Sequence, residues 1–274
     1  QLRSDSTPDI TDLCRQLIPE YSITAIEPVR PKCHQRRNVY RLIDSSGFSI
    51  LLKLYFDNGD RGSDADAFHT ECAALKHLQH LGCPVPTLIA ADAILGAIAT
   101  EWIPGETLTS RLINNTVTQN DRLLIVRMLT AFNAAFQGLT KQFDETRRNR
   151  IHRALATRTH EEIDAVTRTL AGFIHPQDMD PWRANLENSK QLIEQGDWSH
   201  GSLDCPPSNI ILDGNTASLI DISILGADWC ERRVVRYGIA TTRQKHSRQF
   251  KTVLNTDMVE HYSRLNGNPA SSVA

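Results

Sequence analysis

The chain has 274 residues, of which 40% are hydrophobic and 23% are charged, and its formal net charge at pH 7 is −2. Such a chain is long enough for one large domain or two lobes with a full core, and its composition is that of an ordinary globular protein. The charge gives no general reason to expect a nucleic-acid partner. No apolar stretch reaches the roughly 20 residues that a membrane-spanning helix needs, so we expect no membrane span.

Cysteine usage indicates reduced thiols rather than a disulfide framework or a zinc site. The spacings contain no C-x-x-C pair, which is a common element of small zinc sites and redox motifs. The residues near the start, among them Arg3, Asp5 and Asp9, form no signal-peptide core. A cytoplasmic location is therefore expected. The six cysteines are Cys14, Cys33, Cys72, Cys83, Cys205 and Cys230.

The first part of the chain is predicted to be rich in β-strands. A short helix over residues 9–17 comes first and is followed by a strand over residues 22–29. Two segments rich in β-branched and aromatic residues, 38–43 and 48–55, flank a turn of Asp-Ser-Ser-Gly at residues 44–47. This pattern predicts a β-hairpin.

One helix is predicted within this β-rich region. The stretch 57–66 is polar and contains two glycines, which predicts a mobile loop. Apolar residues then recur at helical spacing over residues 67–81, and a glycine followed by two prolines ends that helix. Two further strands are predicted over residues 87–92 and 97–102.

The segment Ile-Pro-Gly-Glu at residues 103–106 interrupts the strand pattern and marks a predicted boundary between two lobes. Beyond it the periodicity favours helices, together with one hairpin around the turn Asp-Gly-Asn at residues 213–215. The predicted fold class is therefore α+β, with a small β-rich lobe over residues 1–103 and a larger, mainly helical lobe over residues 104–274. The predicted helices of the second lobe cover residues 108–113, 120–136, 147–170, 181–195 and 250–265.

A lysine and a glutamate in the first lobe are candidate nucleotide-binding residues. Lys53 lies in an otherwise apolar predicted strand, where its amine must reach solvent or meet an anion. Glu71 lies among apolar residues on the helix that follows. Each residue by itself is compatible with a solvated surface position. A Lys–Glu pair on a strand and the next helix, however, positions nucleotide phosphates in kinases, and the order of elements favours that interpretation.

A second set of candidates lies within residues 198–221. Asp204 is followed five positions later by Asn209, and an apolar run, a turn and a second apolar run then lead to Asp221. Phosphoryl transfer from a nucleotide needs a carboxylate beside the attacking hydroxyl and an Asn and an Asp on magnesium. We expect Asp204 to be the catalytic base and Asn209 and Asp221 to bind the metal. Alternatively, Asn209 and Asp221 occupy ordinary turn positions and bind no metal.

These motifs resemble those of the aminoglycoside phosphotransferase and choline kinase family, which has a protein kinase-like fold. The similarity covers residues 36–112 and 196–230. It implies a bilobal fold, ATP and Mg²⁺ as cofactors, and a hydroxyl as phosphoryl acceptor. It also implies that backbone groups near Glu101 and Ile103 bind the adenine. Its most specific segments are Glu71-Cys72-Ala73-Ala74-Leu75, Leu81-Gly82-Cys83-Pro84-Val85-Pro86 and Glu101-Trp102-Ile103-Pro104-Gly105-Glu106-Thr107-Leu108.

One departure from the family lies where a glycine-rich phosphate loop is expected. Residues 30–37 read Arg-Pro-Lys-Cys-His-Gln-Arg-Arg and contain no glycine, although glycines let backbone N–H groups approach phosphates closely. Either the loop takes a different course, with Lys32, Arg36 or Arg37 supplying positive charge, or the segment is a solvated basic turn.

The second departure concerns the catalytic loop. The family usually has His-Gly-Asp with an Asn five positions after that Asp, whereas here Ser202 follows His200-Gly201. If His200 sets the register, Ser202 replaces the catalytic carboxylate and the protein is a feeble enzyme or a pseudokinase. If Asn209 sets the register, Asp204 has the expected spacing. We favour the second register, because the metal and the hydroxyl tie the carboxylate to the Asn.

The sequence leaves the acceptor open. Basic side chains are concentrated in residues 147–158 and 232–251, and acidic ones in residues 161–187. A basic set at the site would favour an anionic acceptor, and an acidic set would favour one that bears amines. Asp228 is interpreted as structural.

The leading hypothesis is an ATP- and Mg²⁺-dependent phosphotransferase that acts on a hydroxyl of a small molecule of aminoglycoside, amino alcohol or sugar type. Two alternatives stand beside it. One is a nucleotide-binding pseudokinase with a regulatory role. The other is a kinase of a glycan, a lipopolysaccharide core or a protein.

Overall fold

The computed structural model describes residues 9–29, 37–55, 61–204, 206–244 and 247–266. The chain forms two compact units. Gln1–Glu106 together with Ile211–Ile224 make up the first, and Thr107–Ile210 together with Leu225–Ala274 make up the second. The sequence predicted a single division after residue 103. In the structure, residues 211–224 group with the first unit, where the Leu219 N–H donates a hydrogen bond of 3.0 Å to the Pro84 carbonyl.

The first unit is built on an antiparallel five-stranded sheet with the strand order β1-β2-β3-β5-β4. Helix α1 precedes the sheet, and helix α2 connects β3 to β4 along the chain. The predicted hairpin is formed by β2 and β3, which pair antiparallel as expected from the turn between them. The elements are α1 (Ile10–Leu17), β1 (Ile23–Pro28), β2 (Arg37–Asp44), β3 (Ser49–Tyr55), α2 (Arg61–His80), β4 (Leu88–Asp92) and β5 (Ala97–Glu101).

The two faces of β3 are buried against different helices, because successive side chains of a strand point to opposite faces. Leu52 and Leu54 belong to the apolar cluster that contains α1. Tyr55 packs instead with Phe68 of α2. Lys53 stands opposite Ile98 of β5 in the register of the sheet, and Ile98 belongs to the α2 cluster. The alternation therefore turns Lys53 toward α2, which carries Glu71.

Helix α2 begins earlier than the sequence predicted. Residues 57–66 were expected to form a loop, but 61–66 are helical, and 57–60 lie outside the described residues. The expectation gave too much weight to a glycine at the second position of the helix. A glycine in the first turn costs less than the roughly 1 kcal/mol that it costs in a helix interior, and alanines and acidic residues follow it.

The second unit is mainly helical. Its longest apolar helix, α4, buries Ile125, Val126, Leu129 and Phe132 in the core. Within the described residues, α4 is the one helix long and apolar enough to cross a membrane by composition, and half of its most apolar window is buried, as in a core helix. The helices are α3 (Leu108–Asn114), α4 (Gln119–Thr140), α5 (Glu145–Ala171), α6 (Met179–Glu194), α7 (Cys230–Gly238) and α8 (Thr256–Asn266).

Short strands frame the candidate catalytic loop. Strands β7 and β10 form an antiparallel pair in the second unit, with Leu225 opposite Ser202. A small sheet in the order β6-β8-β9 contains the predicted hairpin. These strands are β6 (Glu106–Thr107), β7 (Trp198–Ser202), β8 (Ile210–Leu212), β9 (Ala217–Leu219) and β10 (Leu225–Trp229).

The terminal helix is shorter than predicted. Residues 250–265 were expected to be helical, but β12 (Ser247–Thr252) pairs antiparallel with β11 (Ile239–Gln244), and Phe250 lies opposite Thr241. Helix α8 begins only after Asn255, whose side chain accepts a hydrogen bond of 2.9 Å from the Met258 N–H. This N-terminal cap marks the true start of the helix.

Candidate active site

The buried amine of Lys53 is bound by the carboxylate of Glu71. Lys53 Nζ lies 2.9 Å from Oε1 and 2.8 Å from Oε2 of Glu71. The two side chains are only 9% and 7% exposed. Neither group could be buried alone without a large desolvation cost, so the pair depends on close contact between the two charges.

Two further side chains complete this network. Lys53 Nζ donates a third hydrogen bond, of 2.7 Å, to Oδ1 of Asp221. The Tyr55 hydroxyl donates to Oε2 of Glu71. The sequence had suggested no role for Tyr55. Its position two residues after Lys53 was the available signal, because residues i and i+2 of a strand share a face.

The charge of Lys53 is stabilised by its two partners. Burial by itself would lower the pKa of the amine, but the carboxylates of Glu71 and Asp221 outweigh it, and the pKa of Lys53 is raised above its ordinary value. Lys53 is therefore a cation at neutral pH. A buried cation beside a partly exposed carboxylate is suited to contact a polyphosphate.

Asp221 has an unusual backbone conformation. Its φ is 57°, in the left-handed region that residues other than glycine rarely adopt. Such a conformation costs on the order of 1–3 kcal/mol and is concentrated at functional sites. Ser223 Oγ donates a hydrogen bond of 3.3 Å to Oδ1 of Asp221. The carboxylate remains 34% exposed and is accessible to a ligand.

The side-chain amide of Asn209 is tied to the catalytic loop. Asn209 is buried at the end of a 3-10 turn over Pro207–Asn209, and its Nδ2 donates to the backbone carbonyl of Asp204 at 3.3 Å. A carbonyl oxygen can only accept, so the NH₂ end of the amide faces Asp204. The amide oxygen is then the atom left for a cation. Amide and carboxylate oxygens are ligands that Mg²⁺ accepts.

The two rival positions for the catalytic base differ in their surroundings. Ser202 is buried, and its hydroxyl donates to the backbone carbonyl of Asp204 at 3.1 Å. Asp204 itself is exposed. Both Ser202 and Asn209 therefore hold the backbone of Asp204, and the side chain of Asp204 is the one that faces solvent. The register set by Asn209 stays a prediction.

His200 and Gly201 have structural surroundings. The His200 N–H donates to Thr140 Oγ1 at 3.0 Å. Burial, together with the guanidinium groups of Arg233 and Arg147, lowers the pKa of His200. A Cβ at Gly201 would lie 2.9 Å from Cζ of Arg233, so a larger residue there would displace the guanidinium of this buried arginine.

The predicted adenine-binding segment follows β5. The Glu101 N–H donates to the Thr87 carbonyl at 2.8 Å, and the Trp102 N–H donates to the Ser49 carbonyl at 3.1 Å. Both amides are therefore used within the protein. The Ile103 N–H makes no hydrogen bond with any residue that the structure describes. It is thus the backbone donor in this segment that a base could engage.

Some predicted features fall outside the described residues. Residues 30–36 of the glycine-free segment and Cys205 are among them, and the side chain of Arg37 is not described. Across the described ranges, no group of three His, Cys, Asp or Glu side chains has the arrangement of a metal site. The magnesium ligands expected from the sequence are one carboxylate and one amide. A pair of this kind does not meet the criterion of three such side chains, so this absence does not bear on it.

Comparison with solved structures identifies the fold. The streptomycin–ATP ternary complex of APH(2″)-IIa aligns over 100% of this chain and 86% of its own, with 8% identity and a TM-score of 0.52. The GDP complex of wild-type aminoglycoside 2′-phosphotransferase-IIIa aligns over 83% and 76%, with 13% identity and a TM-score of 0.52. Choline kinase from Cryptosporidium parvum Iowa II aligns over 93% and 77%, with 13% identity and a TM-score of 0.54.

The chain has the fold of these phosphotransferases. The predicted α+β, protein kinase-like class is therefore confirmed, with an antiparallel sheet in the first part and helices in the second. No protein-family model matches the chain, and no curated protein matches it either. Since one fold supports many activities, the phosphotransferase fold leaves the function to be argued from the site.

Proposed function

We propose that the protein is an ATP- and Mg²⁺-dependent phosphotransferase that transfers the γ-phosphoryl group to a hydroxyl of a small molecule. The observation that carries the proposal is the buried Lys53, bound at once by Glu71 and Asp221. A structural ion pair needs only one carboxylate. The second, partly exposed carboxylate in a strained backbone conformation is explained by a ligand that Lys53 and Asp221 share.

Each candidate residue has a role in this proposal. Lys53, held by Glu71, contacts the nucleotide phosphates, and the backbone near Glu101 and Ile103 binds the adenine. Asp221 and the amide oxygen of Asn209 are the proposed ligands of Mg²⁺. When bound, the ion would neutralise charge on the phosphate oxygens.

Asp204 is the proposed base. The acceptor oxygen attacks the γ-phosphorus, and its proton passes to the carboxylate of Asp204. The bond from phosphorus to the bridging oxygen breaks, and ADP leaves with the electron pair. Most of the rate enhancement would come from positioning and charge neutralisation rather than from covalent chemistry of the protein.

The proposal includes a cytoplasmic location and a small-molecule acceptor. Three described cysteines, Cys14, Cys72 and Cys230, are free thiols, as is usual in the reducing cytoplasm, where ATP is also found. The solved structures with the same fold include enzymes named for aminoglycosides and for choline. Their names motivate the small-molecule class but not its identity.

The test is transfer of phosphate from ATP to a broad panel of alcohols, followed by variants of the two acidic residues. We expect Asp204→Asn to lower kcat by about 10²–10⁴-fold, the usual contribution of a general base. Asp221→Ala should abolish both transfer and the Mg²⁺-dependent thermal stabilisation by ATP. Asp180→Asn, an exposed acid of the second unit, is the matched control and should behave as the wild type.

Other outcomes select the alternatives. Normal transfer by Asp221→Ala would contradict the proposal. Nucleotide binding without transfer to any acceptor would identify a pseudokinase. Transfer only to a glycan, a lipopolysaccharide core or a protein would retain the chemistry and replace the acceptor.

A further inference from the structure

Three arginines surround one buried carboxylate in the second unit. Asp228 on β10 has a side chain that is only 1% exposed. Its Oδ1 lies 3.2 Å from Nη2 of Arg158 and 3.7 Å from Nη1 of Arg232, and its Oδ2 lies 3.8 Å from Nη1 of Arg236. The Trp229 N–H also donates to Oδ1 at 3.0 Å. Asp228 and the three arginines, together with Glu162, are called the arginine cluster.

The arginine cluster has a surplus of positive charge. Its second carboxylate is Glu162, whose Oε2 lies 2.9 Å from Nη2 of Arg232 and whose Oε1 lies 3.9 Å from Nε of Arg158. Three guanidinium groups therefore share two carboxylates, which leaves one positive charge. Arg158 and Arg236 are 45% and 41% exposed, so this charge faces solvent.

The hydrogen-bonding capacity of the cluster is also incomplete. Two of the three contacts to Asp228 are longer than a hydrogen bond. Nη1 of Arg232 is buried without a hydrogen-bond partner among the described residues. Nη1 of Arg236 donates a hydrogen bond of 3.2 Å to the carbonyl of Leu203. Its Nε and Nη2 meet no acceptor in the part of the chain that the structure describes.

The surplus positive charge lies next to the catalytic loop, because Arg236 contacts that loop. Leu203, whose carbonyl Arg236 holds, directly precedes the proposed base Asp204. Arg236 lies on α7, which follows β10 without a break, so Asp228 and Arg236 are fixed by one continuous segment. A partly exposed guanidinium with unused donors is thereby held next to the residue that is proposed to receive the acceptor proton.

We propose that the acceptor is an alcohol that carries an oxyanion, either a phosphate monoester or a carboxylate, and that Arg236 binds this group with the support of Arg158. The inference rests on the proposed function and names its substrate class. A planar guanidinium with two adjacent N–H donors matches the geometry of phosphate and carboxylate oxygens. The same surplus charge disfavours an acceptor that carries several amines.

The first experiment compares acceptors that share a carbon skeleton and differ in one charged group. Two matched series serve the purpose: glycerol, glycerol 3-phosphate, glycerate and aminopropanediol, and glucose, glucose 6-phosphate, glucuronate and glucosamine. ATP consumption and product formation are measured for each. We expect the oxyanion-bearing member of a series to exceed its neutral and amine-bearing counterparts in kcat/KM by about tenfold or more, as one charge-assisted contact supplies. The phosphate and carboxylate members separate the two sources of the oxyanion.

The second experiment tests the residue. For the preferred acceptor, Arg236→Gln should reduce the ratio of kcat/KM for the anionic over the neutral member by about tenfold, mainly through KM for the anionic acceptor. A general disturbance of the catalytic loop would lower both values together and leave the ratio unchanged. Arg183→Gln, an exposed arginine of the same unit that pairs only with Asp180 among the described residues, is the matched control.

The outcomes separate this inference from the proposed function. Transfer to neutral or amine-bearing acceptors in preference to anionic ones, or an unchanged ratio in Arg236→Gln, overturns the oxyanion site while the kinase stands. If nothing is phosphorylated, calorimetric binding of glycerol 3-phosphate and glycerate decides, with AMP-PNP and Mg²⁺ present where the protein binds them. Binding that Arg236→Gln removes and Arg183→Gln retains supports the site. No binding by the wild type overturns it.

Discussion

At the scale of single residues, the hydroxyl of Tyr55 is the contact whose removal is most informative. It donates to Glu71, which is otherwise bound by Lys53. We expect Tyr55→Phe to lower the free energy of unfolding by about 1.5–3 kcal/mol, the usual worth of a hydrogen bond to a charged group. The KM for ATP should also rise, because Glu71 then positions Lys53 less firmly. Urea denaturation and steady-state kinetics measure the two effects.

Tyr40→Phe is the matched control for this variant. Tyr40 lies opposite Leu52 in the same sheet and therefore on the face that packs against α1. Its hydroxyl bonds no residue within the described ranges. Equal effects of the two substitutions on the KM for ATP would show that Tyr55 contributes only packing.

The residues of the site were predictable to different degrees. Lys53 and Glu71 were predicted as a pair because a lysine in an apolar strand must reach solvent or meet an anion, and because a strand and the next helix carry such a pair in kinases. Tyr55 was not, because an aromatic residue in a strand is usually explained by packing alone. The choice of Asp204 over Ser202 as the base rested on the five-residue spacing to Asn209, and it stays a prediction. Spacing does not encode the burial of Ser202 or the hydrogen bonds to the Asp204 carbonyl.

At the scale of elements, the start of α4 combines a cap with an ion pair. Thr118 Oγ1 accepts from the Asp121 N–H at 3.1 Å, and Asp121 Oδ2 accepts from the Thr118 N–H at 2.8 Å. Asp121 also pairs with Arg111 at 2.6 Å, and its side chain is 2% exposed. The carboxylate therefore satisfies a helix end and a buried cation together.

This arrangement predicts that substitutions of Thr118 and of Asp121 lower the free energy of unfolding by different amounts. Thr118→Ala should lower the free energy of unfolding by about 1 kcal/mol, as for an ordinary N-cap. Asp121→Ala should cost about 3–5 kcal/mol, because it also removes a carboxylate that pairs with the largely buried Arg111. Thr169→Ala, whose hydroxyl bonds back to Ala165 within α5 and to no other residue that the structure describes, should stay within about 0.5 kcal/mol of the wild type. Similar losses for Thr118→Ala and Asp121→Ala in urea denaturation would contradict the role of the ion pair.

Elements with a clear apolar periodicity, or with a glycine or proline at their ends, were predicted well. Strands that are defined mainly by their hydrogen bonds to another strand were not. Helix α4, the end of α2 and the β2–β3 hairpin follow from periodicity and turn residues, whereas α2 begins six residues before its predicted start. The β11–β12 pair was missed because its strands are polar, and they are defined by hydrogen bonds to each other rather than by an apolar face. The helix prediction over residues 250–265 therefore began too early.

At the scale of the whole molecule, low sequence identity and a shared fold indicate that the architecture constrains few individual residues. The three solved structures share 8–13% identity with the chain. Apolar faces of a sheet and of amphipathic helices can be filled by many sequences. Buried charges are different, because each one costs stability unless its partner is retained. The pair formed by Lys53 and Glu71 is thus where stability and function can be separated.

Replacement of both charges should separate stability from nucleotide binding. Lys53→Met alone leaves the buried Glu71 carboxylate without its cation and should lower the free energy of unfolding by about 3–5 kcal/mol. Glu71→Leu should cost less, because Lys53 keeps its contact with Asp221. The double variant should cost less than Lys53→Met, since two apolar side chains that pack together are often as stable as a buried pair. Stabilisation by ATP and Mg²⁺, about 2.7 kcal/mol at a hundred times Kd, should be absent from all three.

The control is the exposed pair of Arg15 and Asp12. Replacing both by Gln and Asn should alter neither stability nor the response to ATP, because an exposed ion pair contributes little. If the double variant at Lys53 and Glu71 kept the wild-type thermal shift with ATP, Lys53 would not be a phosphate ligand. If it were less stable than both single variants, the pair would be a structural device. The two charges would then have been retained for the fold rather than for the nucleotide.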